Sequence, residues 1–236
     1  MARGGRDQSV SSRLASRSEA FRVLRSNLLV AIDDLANPVV IITSARQGEG
    51  KTSTCVALAR SLASAGPRVV LVDLDLRLPD AHHHLGADNV PGCSEVLLDQ
   101  RPLEECLQYL SPPKDAGGAN GLYFLPAGVG AADPTELLTS PRTARLLEGL
   151  ARQADIVLID TPPVLPVADT LVIGRLAAGA VLVVEARGTP VELLNRTKSA
   201  LTRNQTRILG VVLNKMHAGD AGGYGYGYGY GEADPP

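Results

Sequence analysis

The sequence predicts an α/β fold, a mostly parallel sheet with helices on both faces. Three observations predict it. Short apolar runs alternate with stretches of helical character. Several runs are apolar at consecutive positions, as strands buried on both faces are. Three of the runs end in glycine-rich or acidic segments, and sheets of this kind bind ligands beyond the carboxyl ends of their strands.

The elements follow in chain order. Residues 1–15 are polar, with Arg3, Arg6 and Arg13, and read as a disordered lead. A helix is expected from Ser16, because Ser16 and Glu19 have capping-box spacing and Phe21, Leu24, Leu28 and Ile32 recur at helical period. The expected strands are "PVVIIT", "RVVLVD", "LYFLP", "DIVLID", "AVLVVE" and "ILGVVLN". Between them, Ser140-Pro141 supplies a helix cap with a first-turn proline, and Thr189-Pro190-Val191-Glu192 reads as a capping box with the same proline. Right-handed crossovers then give one domain over residues 16–216. From residue 217 glycine takes over, and residues 217–236 read as a flexible Gly/Tyr-rich tail.

Composition narrows the function classes. At 236 residues, 44% hydrophobic and a mean hydropathy of +0.05, the chain fits one soluble domain. A formal net charge of −2 gives no reason to expect nucleic acid as a partner. Cys55, Cys93 and Cys106 stand in no zinc or CxxC spacing, so they read as structural thiols of a reducing cytoplasm. No apolar run approaches the roughly 20 residues a spanning helix needs, so the chain is not expected to cross a bilayer by itself.

The chemistry sits at strand ends. After the first strand, the run Ala45-Arg46-Gln47-Gly48-Glu49-Gly50-Lys51-Thr52-Ser53 has Walker A spacing, with alanine in the first glycine position. Gly48 and Gly50 let backbone N–H groups curl around phosphate oxygens, Lys51 reaches the β- and γ-phosphates, and the Thr52 hydroxyl suits Mg²⁺. The second strand ends in "VVLVDLDLRLPD", where Asp73 and Asp75 point to one side if the chain stays extended. The fourth ends in "IVLIDTPPVLP", where Asp160 has the place of a Walker B carboxylate and Pro162 and Pro163 stiffen the loop. His82, His83 and His84 read as a surface turn or helix start, because adjacent residues seldom share one ion. Cys55, in the helix after the phosphate loop, reads as a buried small apolar side chain.

Together "ARQGEGKT", "VVLVDLDLR", "IVLIDTPP" and the C-terminal "YGYGYGY" resemble the bacterial tyrosine kinases of capsule and exopolysaccharide synthesis. The resemblance runs from "EAFRVLR" to the tail and includes "DPTELLTS" and "GVVLN". It implies a P-loop NTPase fold of the partitioning and septum-site ATPase type, with ATP and Mg²⁺ as cofactors. It implies catalysis by Lys51, Asp73 and Asp75, with Asp73 accepting the hydroxyl proton, and Mg²⁺ held by Thr52, Asp75 and Asp160. Asn214 would face the base, or else be a turn residue. Arg77 is open between orienting the carboxylates, meeting the acceptor and lying on the surface as a plain charge. Phosphate would go to Tyr224, Tyr226, Tyr228 and Tyr230, which glycine spacers leave free to thread into a shallow site.

Glu19, Arg22 and Arg25 of "EAFRVLR" would be a subunit contact of a homo-oligomeric ring. A membrane adaptor of polysaccharide synthesis would activate the chain and recruit it from the cytoplasm to the inner face of the plasma membrane. A tyrosine phosphatase would reset it. The competing expectation is a partitioning or septum-site ATPase switch without kinase activity. Arg46 stands where partitioning ATPases carry a signature lysine. Against that switch stand the lack of a C-terminal amphipathic helix and of a basic face.

Overall fold

The computed structural model describes residues 4–35, 38–110 and 121–216, with residues 4–15 as backbone. Seven strands form one sheet: β1 Val39–Ser44, β2 Val69–Asp73, β3 Gln108–Leu110, β4 Leu122–Leu125, β5 Ile156–Asp160, β6 Gly179–Glu185 and β7 Ile208–Asn214. Their spatial order is β3-β4-β2-β5-β1-β6-β7. All neighbouring pairs are parallel except β3 with β4. The six runs expected as strands are β1, β2, β4, β5, β6 and β7; β3 was not expected. "QYL" is too short and too mixed in exposure to carry a period, and it pairs only at the sheet edge.

Alternate residues of the buried strands serve two cores. Val40, Ile42, Leu71 and Leu158 meet Leu28 and Ile32 of α1 (Gly4–Ile32) and Leu58 and Leu62 of α2 (Lys51–Ala63). Val39, Ile41, Val72 and Ile159 meet Leu146, Leu147 and Leu150 of α7 (Pro141–Ala151) and Ile173 of α8 (Asp169–Gly174). Burying each such side chain is worth roughly 1.5–3 kcal/mol, and this holds the strand ends in register. Because β5 lies between β1 and β2, the P-loop, Asp73 and Asp160 come out side by side, and Asp73 is the register partner of Asp160.

Two helix starts differ from expectation. The first helix begins at Gly4, well before Ser16. No glycine or proline interrupts the chain between Arg6 and Asn37, so nothing stops the helix at Ser16. Ser140 does cap α7, its hydroxyl accepting from the Arg142 amide. Thr189 does not cap α9 (Val191–Arg203); Pro190 takes the cap position without a side-chain bond. The Thr189 hydroxyl is drawn instead to the P-loop. The remaining short helices are α3 Ala81–Leu85, α4 Cys93–Leu97, α5 Leu103–Cys106 and α6 Pro134–Thr139. No helix among the described residues is long and apolar enough to cross a membrane.

Candidate active site

The loop between β1 and α2 is shaped by glycine and held from behind. Gly48 and Gly50 have φ of +86° and +91°, in the left-handed region that side chains avoid. A Cβ on Gly50 would also collide with the Asn214 side-chain amide. Glu49 is fully buried and turns inward: its Oε2 accepts from the Ala45 and Arg46 amides at 2.8 and 3.1 Å. The Thr189 hydroxyl donates to the other Glu49 oxygen, and Asn214 Nδ2 donates to the Glu49 carbonyl at 2.9 Å. Arg46 reaches the Gly188 carbonyl at 2.5 Å, with Glu185 at 3.8 Å.

A cleft of about 630 Å³ opens in front of this loop. Of the residues expected at the nucleotide, Gln47, Gly48, Gly50, Lys51, Thr52 and Ser53 line it. Ala45, Arg46, Glu49 and Asn214 stand behind the loop and brace it. Pro162, Pro163, Pro166 and Val167 make an apolar wall; Arg77, Leu78 and Pro79 face the same space.

Lys51 is the hub of the charges. Its Nζ lies 2.8 Å from Asp75 Oδ2 and 3.6 Å from Asp160 Oδ1, and donates to the Thr52 hydroxyl at 3.2 Å. Burial disfavours the ammonium, yet Asp160, Asp75 and Asp73 more than offset it, and the Lys51 pKa stands above the ordinary lysine value. Asp75 faces the cleft, beyond the end of β2, with its Oδ1 accepting from the Leu78 amide at 3.1 Å. Asp73 does not face it. It is fully buried, and its oxygens accept from the Asp75 and Ala81 amides at 3.1 and 3.2 Å. Burial, then the neighbouring Asp160, push its pKa well above the usual carboxylate range.

Asp160 has the chemistry a cation site would need. Both its oxygens are buried and make no hydrogen bond among the described residues. Burial raises its pKa to about 6 even with Lys51 beside it. A buried carboxylate in this state is costly unless an ion binds it. The Thr52 hydroxyl, next to Lys51, offers a second oxygen. Mg²⁺ is held by one or two carboxylates plus substrate phosphates and water, so Asp160 and Thr52 fit it without a complete protein cage. Among the described residues no three His, Cys, Asp or Glu side chains form such a cage. Of the three expected ligands, Asp75 is engaged by Lys51 in the structure.

Sequence reasoning missed two residues that hold Arg77, a residue of the cleft wall, in place. Arg77 donates through Nε and Nη2 to Asp169 at 2.7 and 3.1 Å, and through Nη2 to the Thr135 hydroxyl at 2.8 Å. Thr135 in turn donates to Asp169 at 2.5 Å. Thr135 lies within "DPTELLTS", a segment already singled out; Asp169 carries no local signal at all.

The other expected residues fall as follows. Glu19 and Arg22 form an exposed pair at 2.9 Å, whereas Arg25 is spent within the chain on the Ser61 carbonyl at 2.8 Å. His82–His84 are the body of the one-turn helix α3; His84 pairs with Asp80 at 3.1 Å, and His83 and His84 reach the rim of the cleft. Cys55, Cys93 and Cys106 are buried free thiols. Tyr224, Tyr226, Tyr228 and Tyr230 lie outside the described residues.

A nucleotide-binding P-loop protein is the class that this fold and site define. The model of the CobQ/CobB/MinD/ParA nucleotide binding domain matches residues 40–223. The tyrosine-protein kinase YwqD of Bacillus subtilis is 36% identical over 84% of this chain and 80% of its own. The putative tyrosine-protein kinase EpsB of Ralstonia solanacearum is 35% identical over 84% of this chain, which spans only 26% of that relative. Among solved structures, the kinase domain of VpsO has a TM-score of 0.75 at 33% identity, covering 87% of this chain and 98% of that one. The kinase domain of Escherichia coli tyrosine kinase ETK has 0.77 at 28% identity, covering 90% and 80%. The septum site-determining protein MinD of Pyrococcus horikoshii, solved with Mg-ADP, follows at 0.59 and 25%, covering 74% and 69%. The chain therefore belongs to the CobQ/CobB/MinD/ParA nucleotide-binding family, among its bacterial tyrosine-protein kinases.

Proposed function

We propose that this chain is an ATP-dependent tyrosine kinase that phosphorylates its own Tyr224, Tyr226, Tyr228 and Tyr230 and thereby regulates extracellular polysaccharide synthesis or export. The observation that carries the reading is the pairing of Lys51 with Asp75 in an open cleft. A lysine ammonium and a carboxylate, both largely buried yet lining the cleft, meet there at 2.8 Å. A tyrosine phenol has a pKa of about 10, so transfer requires a proton acceptor within reach.

When ATP enters, its phosphates compete for Lys51, which frees Asp75 Oδ2 for the phenolic proton. The γ-phosphorus then bonds to the tyrosine oxygen as its bond to the ADP oxygen breaks. Asp73, behind Asp75 and bonded to its amide, fixes the acceptor's position. This assigns the proton to Asp75, because Asp73 is walled off from the cleft. Asp160 and Thr52 would hold Mg²⁺, which neutralises charge on the phosphates. Extended, the tail between Asn214 and the four tyrosines spans up to roughly 35 to 55 Å, enough to reach a neighbouring subunit.

The wider setting belongs to the same proposal. Unmodified chains assemble into a ring through "EAFRVLR", a membrane adaptor activates and recruits them to the inner face of the plasma membrane, and a phosphatase resets them. A MinD-like switch shares the fold, but Arg46, in the signature-lysine position, is tied to Gly188 and Glu185 outside the cleft. Incubation with Mg-ATP and adaptor segment, followed by phosphosite mapping by mass spectrometry, tests the reading. Phosphate is expected on the four tail tyrosines. Phosphate on serine, or none at all, would sink it.

A further inference from the structure

Arg77, Asp169 and Thr135 form an interlocked group that the reading above does not use. Asp169 is fully buried at the start of α8. Arg77 stands just past Asp75, with a side chain 37% exposed in the cleft wall. Both Asp169 oxygens take the Nε and Nη2 edge of the guanidinium, and the Thr135 hydroxyl bridges the two. Nη1 makes no hydrogen bond among the described residues. Among the described residues, Lys51 and Arg77 are the only Lys or Arg side chains lining the cleft.

Stability alone is a poor reason for this arrangement. A buried ion pair returns little net stability, since desolvating a carboxylate offsets most of the attraction. What a bidentate pair does provide is a fixed plane and a fixed position for the guanidinium. A cation fixed before the reaction stabilises developing charge without reorganising, and phosphoryl transfer spreads charge over equatorial oxygens.

We propose that Asp169 and Thr135 are positioning residues that hold Arg77 so that its free Nη1 meets the oxygens of the phosphoryl group in transfer. The inference rests on the kinase reading and deepens it. Lys51 secures the phosphates as they bind, while Arg77 acts on the group as it moves. The step itself is unchanged: the phosphorus leaves the ADP oxygen, bonds the phenolic oxygen, and the phenolic proton passes to Asp75.

The test uses the full chain, a synthetic peptide of residues 218–236 as acceptor, and ATP hydrolysis measured without peptide. In Asp169→Asn, shape is kept and charge is lost; kcat for both transfer and hydrolysis is expected to fall by roughly 10- to 100-fold. KM for Mg-ATP is expected to move less than about threefold, the pattern of an interaction made only in the transition state. Thr135→Val should show a smaller loss of the same kind, and Thr135→Ser should restore the rate. Pairing Asp169→Asn with Arg77→Ala should be no worse than Arg77→Ala alone, since the carboxylate acts through the guanidinium.

Unchanged kcat in Asp169→Asn, independent losses in the double variant, or loss of transfer with hydrolysis intact would each overturn the assignment. If Asp169→Asn does not fold, the Thr135→Val and Thr135→Ser pair decides by the same criteria. A wild type that hydrolyses ATP but labels no tyrosine would defeat the kinase reading separately, leaving the clamp to be judged on hydrolysis.

Discussion

At the phosphate end of the cleft, Gly48, Gly50, Lys51 and Thr52 come from one short stretch of chain. The wall carrying Arg77 is instead tied together by residues 58 and 92 positions away. The first end is charged out of balance: one lysine faces three acidic neighbours, and among the described residues Asp160 makes no hydrogen bond. On the Arg77 wall every oxygen of Asp169 is satisfied. On the proposed reading, one end awaits ions that arrive with the substrate, whereas Asp169 has its bonds made already. The largest effects of mutation should therefore fall at the unbalanced end.

Lys51→Met should produce the largest loss. Removing the cation leaves Asp75 and Asp160 repelling the phosphates, and tyrosine labelling by radioactive ATP should drop at least about 100-fold. Retained labelling would mean that the phosphate end is not where the chemistry is done.

Asp160→Asn should separate function from stability. Labelling should fall on the order of 100-fold, because the carboxylate suited to Mg²⁺ is gone. Stability of the nucleotide-free protein should move the other way. A carboxylate whose folded pKa is raised binds its proton more tightly when folded, so its contribution is greatest below about pH 4 and declines as pH rises through about 6. Asparagine mimics the protonated form, so the variant should melt roughly 2 to 5 °C above wild type at pH 7, with little difference near pH 4. Asp73, also raised, contributes in the same direction in both proteins. Asp169 works oppositely: burial opposes its charge, but the bonds from Arg77 and Thr135 hold its pKa below the ordinary value, and what it stabilises is lost in acid. A variant less stable than wild type at pH 7 would contradict the account of Asp160.

The contrast between the two ends also explains what the sequence made legible. A P-loop is a local device; its glycines, lysine and threonine lie in one window, and the strand before and helix after can be read from period and capping. Asp73 and Asp160 were legible as acidic ends of apolar runs. Which of Asp73 and Asp75 faces the cleft was not, because the strand ends at Asp73 and the extended alternation that would align them ends with it. Asp169 was invisible: a carboxylate near a helix start looks like an ordinary first-turn acid, and only tertiary contact assigns it to Arg77. Thr189 was misread for the same reason. Its local pattern favours a cap, but Glu49, 140 positions away, competes for the hydroxyl.

That competition gives a smaller prediction behind the phosphate end. Thr189→Val removes the hydroxyl from a buried Glu49 that keeps its bonds to the Ala45 and Arg46 amides. The cost should be about 1–2 kcal/mol in urea unfolding, with KM for Mg-ATP raised about threefold to tenfold and kcat nearly kept. A kcat loss equal to that of Asp160→Asn would instead place Thr189 in the chemistry, and the distinction between bracing and reacting residues would fail.

The smallest effects on stability belong far from both ends, on α1. Glu19 and Arg22 are 63% and 61% exposed, and a solvent-screened pair of this kind is worth less than about 0.5 kcal/mol. Arg25 is different, since its bond to the Ser61 carbonyl fastens α1 to α2; Arg25→Ala should cost about 1 kcal/mol. The double variant Glu19→Ala with Arg22→Ala should therefore unfold like wild type. If those two side chains are a subunit contact, the same variant should lower the mass seen by light scattering and the labelling of one chain by another, with the isolated fold untouched. Arg25→Ala would reduce assembly only together with stability. Equal masses for wild type and the double variant, at equal concentration and with adaptor segment present, would remove the exposed pair from assembly and leave α1 as packing for the face of the sheet it covers.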